Sequence, residues 1–176
     1  MAVRSAKPTD IPAIARLIET SVRGLQANDY TPAQLDLALN RVFGVDRQLI
    51  ADETYFVIED TGGLIGCGGW SYRRTLFGAD AIDGRDETPL EPGVDAAKIR
   101  AFFVHPDWAR RGIATRLLQA CEAAAAAAGF TRLELGATLT GIPFYARYGY
   151  VAGERLEAPL GGDASLTIVK MTKPIV

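Results

Sequence analysis

The chain has 176 residues, of which 48% are hydrophobic and 23% are charged. This length and balance predict one globular domain over residues 1–176 and exclude a disordered or collagen-like chain. The net charge is −2, from 19 basic and 21 acidic residues, so we expect neither nucleic acid nor an anionic membrane as a partner. No apolar run reaches the ~18 residues of a membrane helix, and neither Cys67 nor Cys121 belongs to a C-x-x-C pair. We therefore expect a cytoplasmic protein with reduced thiols.

The first half of the chain predicts a strand, two helices and a hairpin. A short alternating strand precedes a helix that has its apolar residues between positions 11 and 18. A second short helix begins at the capping residue Thr31. Two β-rich runs, residues 54–60 and 63–72, flank a glycine-containing turn and predict a hairpin. Residues 41–52 show no clear periodicity.

The second half begins with a long segment, residues 73–95, that predicts a loop. The compact apolar run at 97–104 then predicts a buried strand, and the stripe from Ile113 onward predicts a helix that Gly129 ends. The remaining predicted elements are a strand, a short helix and two closing strands, at residues 131–137, 140–149, 150–156 and 165–172.

Two features of this middle region allow a functional interpretation beside a structural one. The loop carries six acids between Asp80 and Asp95, which could attract a cationic amine but more often keep a loop solvated. Trp70 and Tyr72 on the preceding strand could line a substrate pocket, although aromatic strand residues more often belong to the core. We favour the structural interpretation for both.

The segment from Arg100 to Leu118 predicts an anion site. An apolar strand ends, Pro106 turns the chain, and a helix opens at Gly112. The first turn of a helix presents unpaired N–H groups and a partial positive charge, which bind phosphate. Small residues let phosphate oxygens approach the backbone, and neighbouring arginines add charge. The predicted cradle residues are Arg110, Arg111, Gly112, Ile113, Ala114 and Thr115.

The wider pattern resembles the GCN5-related N-acetyltransferase (GNAT) family. That family is marked by an apolar L-x-V strand, an R/Q-x-x-G-x-G/A helix start and a later F-Y-x-x-x-G-F/Y motif. Phe102 and Val104 stand at the strand positions, and Gly112 and Ala114 at the small positions of the helix start. The later motif is matched by Phe144, Tyr145, Gly149 and Tyr150. The resemblance is specific over residues 97–151.

Two positions depart from the family pattern. Ala109 stands where the family usually has Arg or Gln, although Arg110 and Arg111 follow directly. Thr138 stands where many relatives carry an Asn that bonds the cofactor. The amide cradle survives both changes, but one or two side-chain contacts to the cofactor are altered.

The resemblance implies an α/β (α+β) fold with a mixed sheet of six or seven strands, splayed between its central strands and flanked by helices. It implies acetyl-CoA as cosubstrate and no metal. The pantetheine arm would run beside Phe102, Phe103 and Val104 like an added strand, because an open strand edge offers free N–H and C=O groups. The hydroxyl of Thr138 would replace part of the usual Asn contact.

Acetyl transfer needs a neutral amine, a stabilised oxyanion and a proton for the leaving sulfur. The resemblance assigns the proton to Tyr145, and a backbone N–H near Val104 would meet the oxyanion. A lysine-like amine of pKa ~10.4 needs about 4.6 kcal/mol to be neutral at pH 7, whereas an α-amine needs about 1 kcal/mol. The base stays open between His105, Glu134 and a chain of water molecules.

The sequence thus predicts an acetyl-CoA-dependent N-acetyltransferase that moves an acetyl group to a primary amine by direct attack on the thioester. A small-molecule acceptor is favoured because nothing marks a long peptide groove. The alternatives are a protein N-acetyltransferase and a non-catalytic module that binds or senses CoA. A homodimer is compatible with the sequence.

Overall fold

The strands predicted from the sequence join into one mixed sheet. A computed structural model describes residues 1–175, and its seven strands lie in the order β1-β2-β3-β4-β5-β7-β6. Their bounds are β1 Val3–Ser5, β2 Tyr55–Asp60, β3 Gly63–Ser71, β4 Ala97–Val104, β5 Arg132–Thr138, β6 Val151–Gly161 and β7 Ala164–Pro174. Neighbouring strands are antiparallel except β4 and β5, which are parallel. The predicted mixed sheet flanked by helices is confirmed.

Five α-helices of the described residues pack on this sheet. They are α1 Ile11–Leu25, α2 Pro32–Ala38, α3 Arg47–Ala51, α4 Ile113–Ala127 and α5 Ile142–Arg147. Helix α1 buries Ile14, Leu17, Ile18 and Val22 along one stripe and continues well past its last predicted apolar position. Helix α3 fills the segment in which the sequence showed no periodicity. No helix within residues 1–175 has the length and apolar character needed to cross a bilayer.

The sheet splays at its centre, as the resemblance implied. Strands β4 and β5 pair only at Ala97–Leu133 and Lys98–Glu134, after which they separate. Beyond that point β4 bulges at Ala101, whose φ of 56° lies in the left-handed region. The hydroxyl of Tyr55, a fully buried side chain of β2, donates to the Ala101 carbonyl over 3.1 Å. This bond stabilises the bulge from inside the core.

Glycines on β3 make room for this packing. A Cβ on Gly68 would lie 2.7 Å from the ring of Phe102, and a Cβ on Gly69 would lie 2.8 Å from the ring of Tyr55. Such distances are far inside van der Waals contact, so larger residues would displace both rings. The glycines of β3 therefore permit the bulge that opens the sheet.

Residues 73–95 form the predicted loop, but buried ion pairs anchor it. Asp46 is fully buried and bonds Arg85 of the loop over 3.2 Å and Arg100 of β4 over 2.8 Å. Arg73, at the start of the loop, bonds Asp52 over 2.7 Å. Removing one member would leave an uncompensated buried charge, so this network fixes the loop against the sheet.

Candidate active site

The N-terminus of α4 presents a run of free backbone amides. Within residues 1–175, none of the amides from residue 110 to 115 donates to a protein acceptor, and the first helical bond runs from Arg116 N–H to the Gly112 carbonyl. Arg110 and Gly112 have φ of 62° and 81°. A Cβ on Gly112 would meet no atom within 4 Å. The free amides, the helix dipole and the open space above the glycine suit a bound phosphate.

The side chains around this cradle divide into two groups. Arg110 and Arg111 are exposed, and the Arg111 guanidinium lies 5.3 Å from the centre of the Trp108 ring. Ile113 points the other way, into the core against Gly66, and can offer only its amide. The Thr115 hydroxyl lies 2.8 Å from the Tyr148 hydroxyl, which ties α4 to the end of α5.

A cavity of about 210 Å³ lies where β4 and β5 separate. It brings together six of the predicted site residues, namely Phe102, Phe103, Val104, Ala114, Thr138 and Tyr145. Ala114 belongs to the first turn of α4, so the cavity and the amide cradle meet at that residue. The other five predicted residues lie in the cradle and outside this cavity.

The free edge of β4 carries one contact that the sequence did not predict. The Val104 N–H, expected to meet the oxyanion, donates to the Ser21 hydroxyl over 3.2 Å. Ser21 lies on α1, is buried and lines the cavity. A ligand that uses the Val104 N–H therefore displaces or shares this hydroxyl.

Tyr145 is a buried residue that lines the cavity. Its ring packs against Phe102, Phe144 and Tyr150 with centroid distances of 6.3, 5.1 and 5.6 Å. Its hydroxyl has no hydrogen-bond partner among residues 1–175, and burial raises the pKa of Tyr145 well above its ordinary value. The group is therefore a protonated donor throughout the physiological pH range.

Thr138 is oriented by the start of α5. Its hydroxyl oxygen accepts the N–H of Gly141 over 3.1 Å, and Gly141 is the residue just before the short helix that carries Tyr145. The hydroxyl proton stays available to a second partner, because a hydroxyl can donate and accept at once. Thr138 can thus contact a ligand while positioning α5.

Neither residue considered as a base lines the cavity. The Nδ1 atom of His105 accepts the Asp107 N–H over 3.2 Å, and the residue serves as a turn residue after β4. Glu134 forms ion pairs with Lys98 and, over 3.3 Å, with Lys170. Among the described residues that line the cavity, none is Asp, Glu, Lys or His.

The acids of the long loop and Trp70 of β3 lie outside the cavity. Asp80 bonds Arg47 over 2.7 Å at the surface, and no acid of the loop lines the cavity formed by the described residues. Trp70 is buried against Phe130 with a centroid distance of 6.1 Å, and it lines no part of the cavity. The structural interpretations made from the sequence agree with these positions.

Other residues of the cavity were missed. Ser21 comes from α1, Gln26 directly follows that helix, Arg100 comes from β4, and Phe77 comes from the long loop. The only sequence signal was a polar residue inside an otherwise apolar stripe, as at Ser21 and Arg100. For Phe77 there was none, because the loop has no periodicity that would assign a face to its side chains.

Comparison with known proteins places this architecture in one family. Residues 51–152, more than half of the chain, match the family model described as the acetyltransferase (GNAT) domain. Among curated protein sequences, none matches this chain significantly.

Solved structures agree. A GCN5-related N-acetyltransferase from Rhodopseudomonas palustris is 25% identical, with a TM-score of 0.73 over 99% of this chain and 95% of that one. The PaiA N-acetyltransferase of Thermoplasma acidophilum, solved with coenzyme A, is 14% identical, with a TM-score of 0.66 over 98% of each chain. A ribosomal-protein-alanine N-acetyltransferase from Brucella melitensis is 16% identical, with a TM-score of 0.64 over 99% of this chain and all of that one. Together with the splayed sheet and the amide cradle, the family match establishes that this chain is a member of the GNAT family of acetyltransferases.

Proposed function

We propose that this acyltransferase moves the acetyl group of acetyl-CoA to a primary amine on a small molecule, by direct attack of the amine on the thioester. The observation that carries the proposal is the run of six free amides at the start of α4, next to a cavity that holds the Tyr145 hydroxyl. A diphosphate and a reactive group a short distance away would be held at once by these two features. The Thermoplasma acidophilum neighbour, which holds coenzyme A, supports the same cosubstrate.

In this proposal the backbone does most of the binding. The amides of residues 110–115 hold the pyrophosphate, and Arg110 and Arg111 add charge from the surface. The free edge of β4 at Phe102 and Val104 receives the amides of the pantetheine arm, because β5 has separated from it there. The Phe103 side chain packs in the core, so this residue contributes only its backbone.

Tyr145 supports departure of the sulfur. Proton transfer from an ordinary tyrosine to a cysteine-like thiolate is uphill by about 2 kcal/mol, and burial makes the tyrosine a weaker acid still. A hydrogen bond from the hydroxyl stabilises negative charge on sulfur as the carbon–sulfur bond breaks, before any full transfer. The amine loses its extra proton to water, since no described side chain in the cavity is a base at neutral pH.

A thiol-release assay tests the function. We expect the purified protein to bind acetyl-CoA in calorimetry and to release CoA when a primary amine is added. If acetyl-CoA binds but neither small amines nor peptides cause CoA release, the protein is a CoA-binding or sensing module and not an enzyme. If CoA is released only when peptides are added, the acceptor is a protein.

A further inference from the structure

One buried polar group in the cavity lacks a partner. Gln26 follows the last residue of α1, is 7% exposed and lines the cavity, and its Oε1 atom has no hydrogen-bond partner within residues 1–175. A buried carbonyl without a partner is destabilising, and native proteins seldom leave one unpaired. Gln26 lines the cavity next to the proposed thioester site, so a ligand bound there can supply the missing N–H.

Hydrogen bonds fix the chain at Gln26, where α1 ends. Ser21, which contacts Val104 on β4, lies five residues earlier on α1, about 7.5 Å along the helix axis. The turn after Gln26 is held by the Tyr30 hydroxyl, which accepts the Leu139 N–H over 2.9 Å and donates to the Thr167 carbonyl over 2.8 Å. The backbone of Gln26, which accepts the Asp29 and Tyr30 N–H groups, is therefore held in place before a ligand binds.

The surroundings of Gln26 are apolar and carry no free charge. The apolar wall of this part of the cavity is formed by Leu25, Val42, Phe43, Leu76, Phe77 and Ile168. The one charged lining residue, Arg100, bonds Asp46 over 2.8 Å and the backbone carbonyls of Thr75 and Gly78. Since no described lining residue is acidic, a polycationic amine would lose its hydration here and find no counter-charge.

We propose that the acceptor is a monoamine of low basicity carried on an apolar body, and that Gln26 Oε1 accepts one of its N–H groups. This inference rests on the proposed function and narrows its substrate. An apolar cavity disfavours the charged form of a bound amine, so it selects amines that lose their proton at low cost, such as α-amines. The apolar wall then binds the rest of the molecule.

Three probe amines separate the parts of the proposal. Phenylalaninamide carries an α-amine and an apolar body, glycinamide carries the same α-amine without the body, and spermidine is a polycation. We expect kcat/KM for phenylalaninamide to exceed that of each other amine at least tenfold. We expect the same order of affinity in calorimetry with the CoA-loaded protein, which needs no turnover.

Two substitutions of Gln26 test its role. Gln26→Leu should lower kcat/KM for phenylalaninamide about tenfold, mainly through KM, while leaving acetyl-CoA affinity unchanged. Its Tm should equal or exceed that of the wild type, because the unpaired carbonyl is gone. Gln26→Glu should raise the ratio of spermidine to phenylalaninamide activity at least tenfold, because it adds a counter-charge. Gln119→Leu, an exposed glutamine of α4, is the matched control and should change nothing.

The outcomes distinguish this inference from the function on which it rests. The acceptor assignment would be overturned if the wild type used and bound glycinamide or spermidine as well as phenylalaninamide or better. It would also be overturned if Gln26→Leu left KM unchanged. In both cases the proposed acetyltransferase activity would stand. Selective binding of phenylalaninamide without CoA release would uphold the acceptor site and overturn acetyl transfer. Absence of selective binding in the CoA-loaded protein would overturn the site itself.

Discussion

Substituting Tyr145 by Phe removes one hydroxyl from the centre of the proposed site and little else. The ring keeps its contacts with Phe102 and Phe144, at centroid distances of 6.3 and 5.1 Å, and no protein hydrogen bond among residues 1–175 is lost. We therefore expect the free energy of unfolding to change by less than about 1 kcal/mol. Acetyl-CoA affinity should stay within about threefold, since the cradle holds the diphosphate elsewhere.

The rate should respond much more strongly. General acids typically contribute about 10²- to 10⁴-fold, and burial weakens Tyr145 as an acid, so we expect a loss near the lower end, about 10- to 100-fold in kcat. A tenfold loss corresponds to about 1.4 kcal/mol of transition-state stabilisation. Single-turnover release of CoA, followed with a thiol reagent at saturating amine, measures this step without interference from product release.

The pH profile adds an independent check. Because burial raises the pKa of Tyr145, the hydroxyl stays protonated between pH 6 and about 9, so the wild type should show no falling limb there. The rising limb from deprotonation of the amine should persist in both proteins. A variant with wild-type single-turnover rates across this range would refute the role of Tyr145.

Three further predictions concern the cradle and the core. Gly112→Ala places a side chain at φ 81° in the open space above the free amides, so acetyl-CoA affinity in calorimetry should fall at least tenfold, at a stability cost of about 1 kcal/mol. Asp46→Asn leaves the buried Arg100 without a counter-charge, whereas Arg85 keeps Glu87, and should lower the free energy of unfolding in urea by about 3–5 kcal/mol. Burial raises the pKa of Cys67 to about 12, so stability should fall as pH rises from about 9 to 12, where the unfolded thiol ionises and the folded thiol does not. The free energy of unfolding, measured in urea at several pH values in this range, should fall less steeply in Cys67→Ala, by about 1.4 kcal/mol per pH unit.

Matched variants control these measurements. Gly93 has φ 83° and equally open space, so Gly93→Ala carries the same backbone strain away from the cradle and should leave acetyl-CoA affinity unchanged. Asp83→Asn alters an exposed acid of the long loop and should be neutral. Equal acetyl-CoA affinities in the two glycine variants would contradict the role of Gly112 in the cradle. Equal free energies of unfolding in the two aspartate variants would contradict the role of Asp46. An unchanged loss of stability at high pH in Cys67→Ala would contradict the role of the thiol.

Local features of this protein could be predicted from the amino-acid sequence because their causes are local. The cradle depends on consecutive residues around Gly112, where a left-handed glycine and the first turn of α4 leave amides unpaired whatever else surrounds them. The strand before the cradle and the short helix of Tyr145 follow from patterns of a few residues. The departures at Ala109 and Thr138 were visible for the same reason.

Only the tertiary structure shows which residues line the cavity. Gln26, Phe77 and Arg100 come from distant segments, and their common location depends on the bulge at Ala101 and on the buried Asp46 that anchors the long loop. No periodicity in the loop could show that Leu76 and Phe77 line the cavity while Asp80 and Asp83 are exposed. The amide cradle and the proposed catalytic hydroxyl therefore depend on short stretches of sequence, whereas the proposed selection of the amine depends on contacts between segments that only folding brings together.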